Sequence, residues 1–130
     1  MSSRFWIATG ALLAGIAVTA GAVGTHVLKE TIKLPDSELA TYEIAVRYQM
    51  YHSLALVLVG LIAAQRGSRL LSAAGVAFLL GIVLFSGGLY AWLASGSTPF
   101  IQVVPLGGLA WILGWLVLAA HAAFSSSSSR

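Results

Sequence analysis

Cysteine is absent from this 130-residue sequence, which excludes disulfides, thiolate metal centres and cysteine nucleophiles. Charge is nearly as scarce. Only 8% of the residues are Asp, Glu, Lys or Arg, against about 25% in ordinary soluble domains. So little charge cannot cover the chain's apolar surface with groups that water tolerates, so lipid must cover it. The four acidic residues, Glu30, Asp36, Glu38 and Glu43, all fall in one connecting stretch. No carboxylate lies inside an apolar segment, and Ser53 and Ser86 lack a Gly-x-Ser-x-Gly setting, so hydrolytic chemistry is not expected. The formal net charge is +3, but the basic residues are scattered and form no stripe with stacking aromatics. Nucleic acid is therefore not an expected partner.

What is present is hydrophobic, at 58% of the chain. Four apolar segments stand out, Phe5–Gly24, Ile44–Ala64, Leu70–Ala94 and Val103–Phe124, each long enough to cross a bilayer. The first is longer than the apolar region of a usual signal peptide, so it is expected to be retained as a span. The predicted architecture is all-α: one integral membrane four-helix bundle over residues 1–124, followed by a disordered Ser-rich tail, 125–130. Pro35-Asp36-Ser37-Glu38 resembles a helix start with Asp36 or Ser37 as cap, which predicts a short interfacial helix between spans one and two. Arg4, Arg66, Arg69 and Arg130 share one side of this topology, against Lys29, Lys33 and the borderline Arg47 on the other. The positive-inside rule then places both termini in the cytoplasm.

Small residues recur at four-residue spacing in Ala11/Gly15, Ala17/Gly21, Ala20/Gly24 and Ala77/Gly81. Such faces let helix backbones approach closely in lipid. Gly15, Gly21, Gly24 and Gly81, with Gly107 and Gly108, are the expected packing positions, within the bundle or in a homo-oligomer. Trp6 and Trp92 fall at span ends, as interfacial belt residues do. Trp111 and Trp115 are one turn apart on span four. Pro105 is expected at the start of the fourth helix, where its missing N–H costs nothing. Gly87-Gly88 is expected as a point of close contact.

The second span is unusual. Its clean apolar part, Ser53 to Ala64, covers only ~18 Å at 1.5 Å per residue, whereas the hydrocarbon core is about 30 Å thick. The span must draw in Arg47-Tyr48-Gln49-Met50-Tyr51-His52. The topology sets these residues in one leaflet with His26, Ser86, Tyr90 and Gln102. Arg47, Tyr48, Tyr51 and His52 fall within roughly 140° of the helix, and Glu43 can pair with Arg47 at i,i+4. Polar groups at membrane depth are functional candidates. This cluster has two readings: interhelical hydrogen bonding, or a site for a lipid, quinone or small hydrophobic solute. No metal or cofactor is expected, because His26 and His52 lack a helical ligand spacing and a placed carboxylate.

Four ordered motifs carry a resemblance over nearly the whole chain. Gly21-Ala22-Val23-Gly24-Thr25-His26, Arg47-Tyr48-Gln49-Met50-Tyr51-His52, Leu84-Phe85-Ser86-Gly87-Gly88-Leu89-Tyr90 and Pro105-Leu106-Gly107-Gly108 resemble the small multi-pass membrane family catalogued as domain of unknown function 423. YgdD and YwdK are members, and transmembrane protein 256 is an animal counterpart. Val23, Thr25 and Val104 depart from the family pattern, and relatives can carry an acidic residue at the Arg47 position. Weight therefore moves to Tyr48, Gln49 and His52. The resemblance implies four helices in the inner membrane and brings no activity. The functional expectation is a non-enzymatic scaffold or accessory subunit acting through membrane-protein partners, with ligand binding at the polar cluster as the alternative.

Overall fold

The computed structural model describes residues 1–125 and, among them, contains helices and no strands. Helix α1 (Ser3–Val23) runs into a π-helical segment, Gly24–Ile32, and α2 (Asp36–Gln65) follows. The third span is built from α3 (Arg69–Gly81), a second π-helical segment (Ile82–Gly87) and α4 (Gly88–Ser95); α5 (Thr98–Ser125) is the fourth. Four stretches are long and apolar enough to cross a membrane: Ser3–Ile32, Asp36–Gln65, Arg69–Ser95 and Thr98–Phe124. The all-α, four-span expectation is met. Apart from the backbone of Ser125, which closes α5, the Ser-rich tail lies outside the described residues.

Local chemistry fixes the ends. Ser2 caps α1 by accepting the Phe5 N–H at 3.2 Å, and Ser68 caps α3 by accepting the Leu71 N–H at 3.1 Å. These hydroxyls satisfy donors that a helix start leaves orphaned. Lys33 takes a left-handed conformation (φ 57°) after the first π segment, and the Leu34 N–H returns to the Leu28 carbonyl at 2.8 Å. That turn leaves no room for a separate interfacial helix. Residues 36–43 are instead the first two turns of α2, with Pro35 in the cap position and no side-chain cap from Asp36 or Ser37. Asp36 and Glu38 occupy the first turn, where negative charge complements the helix dipole.

Pro105 also departs from expectation. Helix α5 begins at Thr98 and carries Pro105 in its interior, so the Ile101 carbonyl loses its usual donor. The first turn accommodates Pro99 instead, where a missing N–H is one of the donors a helix start leaves orphaned.

Span three and α5 pack in a fixed antiparallel register written in glycine and large side chains. A side-chain carbon on Gly81 would collide with Trp111, and one on Gly114 would come within 2.8 Å of Phe78. Two turns further along, a carbon on Gly107 would meet Phe85 at 2.5 Å and one on Gly88 would meet Val104 at 3.1 Å. Each large residue stands three positions before the glycine of its own helix and fills the notch of the other. The Trp111 indole completes the lock by donating to the Phe78 carbonyl at 3.2 Å. Gly88 is the close contact expected of the Gly87-Gly88 pair.

The other packing glycines divide. Gly24 abuts Tyr42, whereas Gly21 and Gly108 make only ordinary contacts, at 3.7 Å with Val46 and 3.9 Å with Phe85. Gly15 has nothing within 4 Å, because its face of α1 points away from the bundle. Gly10, which abuts the Ser53 carbonyl and Val57, and Gly60, which abuts Ile7, set the α1–α2 approach and were not anticipated. Trp6 is no belt residue either. It is fully buried in the core with Leu56, Val59, Leu71, Ala74 and Phe78, its ring seated on Gly75. Its Nε1 is the one buried side-chain polar atom without a partner among the described residues. Large apolar residues such as Leu12, Leu58, Val83, Leu109 and Leu116 point outward, towards lipid.

Candidate functional site

The polar residues at the head of span two separate into two layers on α2. The inner layer is consumed by helix-to-helix bonds. Gln49, only 3% exposed, donates from Nε2 to the Leu13 carbonyl of α1 at 3.0 Å and accepts the Tyr90 hydroxyl of α4 on Oε1 at 3.0 Å. One amide thus joins three helices. Ser86 donates to the Ala45 carbonyl at 2.8 Å, and Tyr42 donates to the Ala20 carbonyl at 2.8 Å. Ser53 turns back on its own helix, donating to the Gln49 carbonyl at 2.6 Å. In lipid an unsatisfied polar group costs several kcal/mol, so these bonds are needed wherever such groups are buried.

Local structure aims these groups. The second π-helical segment, Ile82–Gly87, turns more slowly per residue than an α-helix. Within it Phe85 meets the aromatic rings of α2 and α5 while its neighbour Ser86 reaches the α2 backbone.

His52 stands between the layers. Its Nδ1 lies 2.8 Å from the Tyr48 carbonyl, and its Nε2 lies 3.2 Å from the Trp115 indole nitrogen. An indole N–H can only donate. Nε2 is therefore the acceptor, Nδ1 carries the proton and donates to Tyr48, and the ring is neutral. The imidazole also lies flat on Trp111, with centroids 3.8 Å apart and planes 3° from parallel. Tyr48 covers the same indole at 5.6 Å and 18°. Both ring nitrogens are thus engaged, and no carboxylate is among these contacts.

The outer layer is an aromatic groove open to the lipid side. It encloses about 540 Å³ and is lined by Tyr48, Tyr51, His52, Phe85, Trp111 and Trp115, with Gly108 and Ile112. Its rim residues Tyr51 and Trp115 are 52% and 44% exposed. The hydroxyls of Tyr48 and Tyr51 form no hydrogen bond among the described residues.

Three expected members of the cluster do not join it. His26 projects from the first π segment and pairs with Glu30 at 3.6 Å, both side chains exposed. Gln102 is exposed on α5. Arg47 is exposed, and the pairing with Glu43 does not form within 4.0 Å. The sequence had given no weight to Tyr42, Trp111 or Trp115 as site residues. A signal for Trp111 existed, because Gly107, Trp111, Gly114, Leu118 and His121 alternate at spacings of four and three, and all five are buried. That is the period of a packed helix seam.

With the geometry in place, comparison with known proteins decides the family. The family described as Protein of unknown function (DUF423) matches residues 20–108. The chain belongs to the DUF423 family. Among its relatives, a UPF0382 membrane protein of Staphylococcus epidermidis is 40% identical over 115 residues, covering 88% of this chain and 92% of the relative. The UPF0382 membrane protein YwdK of Bacillus subtilis is 37% identical over 120 residues, covering 92% of this chain and 96% of the relative. The UPF0382 inner membrane protein YgdD of Escherichia coli K12 is 33% identical over 122 residues, covering 94% and 92%. No solved structure matches the chain. DUF423 membership agrees with the resemblance carried by the four motifs, and the protein is a multi-pass membrane protein of a family without an assigned activity.

Proposed function

We propose that this DUF423 protein is a non-enzymatic binding component of the inner membrane, with both termini cytoplasmic, whose aromatic groove takes one chain-like or flat apolar molecule dissolved in the bilayer. The groove carries the proposal. Its volume of about 540 Å³ falls within the range of small-molecule sites, which are mostly apolar with a few placed polar groups. Here those polar groups are the rim hydroxyls of Tyr48 and Tyr51. Binding without turnover is favoured because the groove is lined by no carboxylate, lysine, serine or cysteine, and His52 Nε2, the ring's basic nitrogen, already accepts the Trp115 N–H. A fatty acid carrying a photoreactive diazirine in its chain tests the groove on the protein in nanodiscs. Labelling should concentrate on peptides containing Tyr51 and on those containing Ile112 and Trp115. Even labelling around all four spans would contradict it.

One observation favours a second role, as an accessory subunit. The Ala11–Gly15–Thr19 face of α1 lines a shallow groove open to lipid, with nothing near Gly15, and small-residue faces accept a neighbouring helix. The native chain has no cysteine, so a Gly15→Cys variant gives a clean test. A disulfide-linked dimer formed in membranes supports a second copy as the partner, and a monomer under the same oxidant counts against it.

A further inference from the structure

A second cleft lies on the opposite flank of α2, where the end of α1 meets the start of α2. It encloses about 260 Å³, with Gly21, Gly24, Tyr42 and Val46 as its floor and Glu43 and Arg47 at its mouth. The two charges stand four residues apart on one helix, ~6 Å of rise, in the order that favours pairing. They do not pair within 4.0 Å, and neither forms a hydrogen bond among the described residues. The neighbouring hydroxyls are already spent, Tyr42 on the Ala20 carbonyl and Thr25 on the Gly21 carbonyl. Among the described residues, Glu43 and Arg47 are therefore the charged side chains facing the cleft, and both hydroxyls there have already placed their protons.

Depth identifies what meets them. Counting back from Arg66, twenty residues of helix span ~30 Å, the thickness of the hydrocarbon core, and end at Val46. Glu43 and Arg47 thus stand at the level of the lipid headgroups. An anion and a cation ~6 Å apart along the helix complement a headgroup that carries one phosphate and one ammonium. Arg47 suits the phosphate, as guanidinium groups do. Glu43 is an acceptor and needs a cation that can donate. A primary ammonium offers three N–H donors, whereas a quaternary choline offers none and a glycerol headgroup offers no cation. Gly21 and Gly24 carry no side chain into the cleft, so Tyr42 and Val46 form an apolar floor beside the two charges.

We propose that the Glu43–Arg47 cleft is a headgroup site for a zwitterionic phospholipid with a primary amine, phosphatidylethanolamine. The site is independent of the aromatic groove, and either can fail without the other. The test is native mass spectrometry of the full chain released from nanodiscs holding equal amounts of phosphatidylethanolamine, phosphatidylcholine and phosphatidylglycerol with matched acyl chains. Phosphatidylethanolamine should be retained about five-fold over each of the others, the difference one hydrogen bond of ordinary net strength makes. Glu43→Gln should level phosphatidylethanolamine with phosphatidylcholine, and Arg47→Gln should lower retention of both. Both side chains are exposed and unpaired, so the melting temperature should stay unchanged and show that the fold is intact. Equal retention of the two zwitterionic lipids by the wild-type protein would overturn the proposal. So would a preference for phosphatidylglycerol, or a Glu43→Gln variant with unaltered selectivity.

Discussion

Trp115 donates its indole N–H to His52 Nε2 at 3.2 Å, and that bond decides the state of the histidine stacked between α2 and α5. A donor on one side forces the proton to Nδ1, where the Tyr48 carbonyl receives it at 2.8 Å. The result is a neutral ring held edge-on by two helices and face-on by Trp111. Nitrogen-15 spectra of ring-labelled protein at neutral pH should therefore show His52 with a protonated Nδ1 and an unprotonated Nε2. The reverse tautomer, or a doubly protonated ring, would contradict the geometry.

Replacing Trp115 by Phe removes the donor while keeping an aromatic ring next to Phe78, with which Trp115 packs at 4.9 Å. The buried Nε2 then lacks a partner. Thermal unfolding in detergent should show a loss of about 1 kcal/mol. Trp111→Ala should cost about 3–5 kcal/mol, because it empties the notch at Gly81 and removes the surface on which His52 and Tyr48 lie.

The glycines give a contrast that sequence spacing alone does not. Gly81→Ala and Gly114→Ala should each destabilise by about 1–3 kcal/mol, since Trp111 and Phe78 already occupy the space of the new methyl group. Gly15→Ala should be neutral, or stabilising by up to about 1 kcal/mol through helix propensity. The ranking can be read from melting temperatures of the three variants in one detergent.

Gln49 joins α1, α2 and α4, so its energetics should couple to those of Tyr90. A double-mutant cycle of Gln49→Leu and Tyr90→Phe should return a coupling of about 0.6–1.7 kcal/mol, the range found for hydrogen bonds between membrane helices. His26→Ala and Gln102→Ala, which touch no part of this network, should each shift stability by less than about 0.5 kcal/mol.

The spans and the polar stretch of α2 were legible because composition and length are enough to reveal a membrane helix. Gln49, Tyr90 and Ser86 were also legible, since a buried polar residue in lipid must find a partner. Which partner each finds was not. The acceptors are mostly backbone carbonyls, those of Leu13, Ala20, Ala45 and Tyr48, and a carbonyl has no signature in sequence. His26 and Gln102 were grouped with the cluster by leaflet, but sharing a depth does not mean sharing a face, and both point away from it. Trp6 reads as a belt residue by the habit of tryptophan at membrane interfaces, and Trp115 only as a neighbour one turn from Trp111. Only the contacts with Gly75 and His52 reveal what they do. Pro105 shows the same limit. Its place inside α5 is set by where Thr98 and Pro99 begin the helix, not by its own preference for a first turn.

The division of labour between the two layers of α2 can be measured in one comparison. Wild-type protein, Tyr51→Ala and Gln49→Leu are purified in parallel from the same membranes, and each is examined by native mass spectrometry and thermal unfolding. The wild type should carry one bound apolar molecule. Tyr51→Ala, which alters only the groove rim, should lose that molecule and keep its melting temperature. Gln49→Leu should melt earlier and keep it. A wild-type protein that carries nothing, or a Tyr51→Ala variant that retains the molecule fully, would contradict the assignment of the aromatic groove as the binding surface.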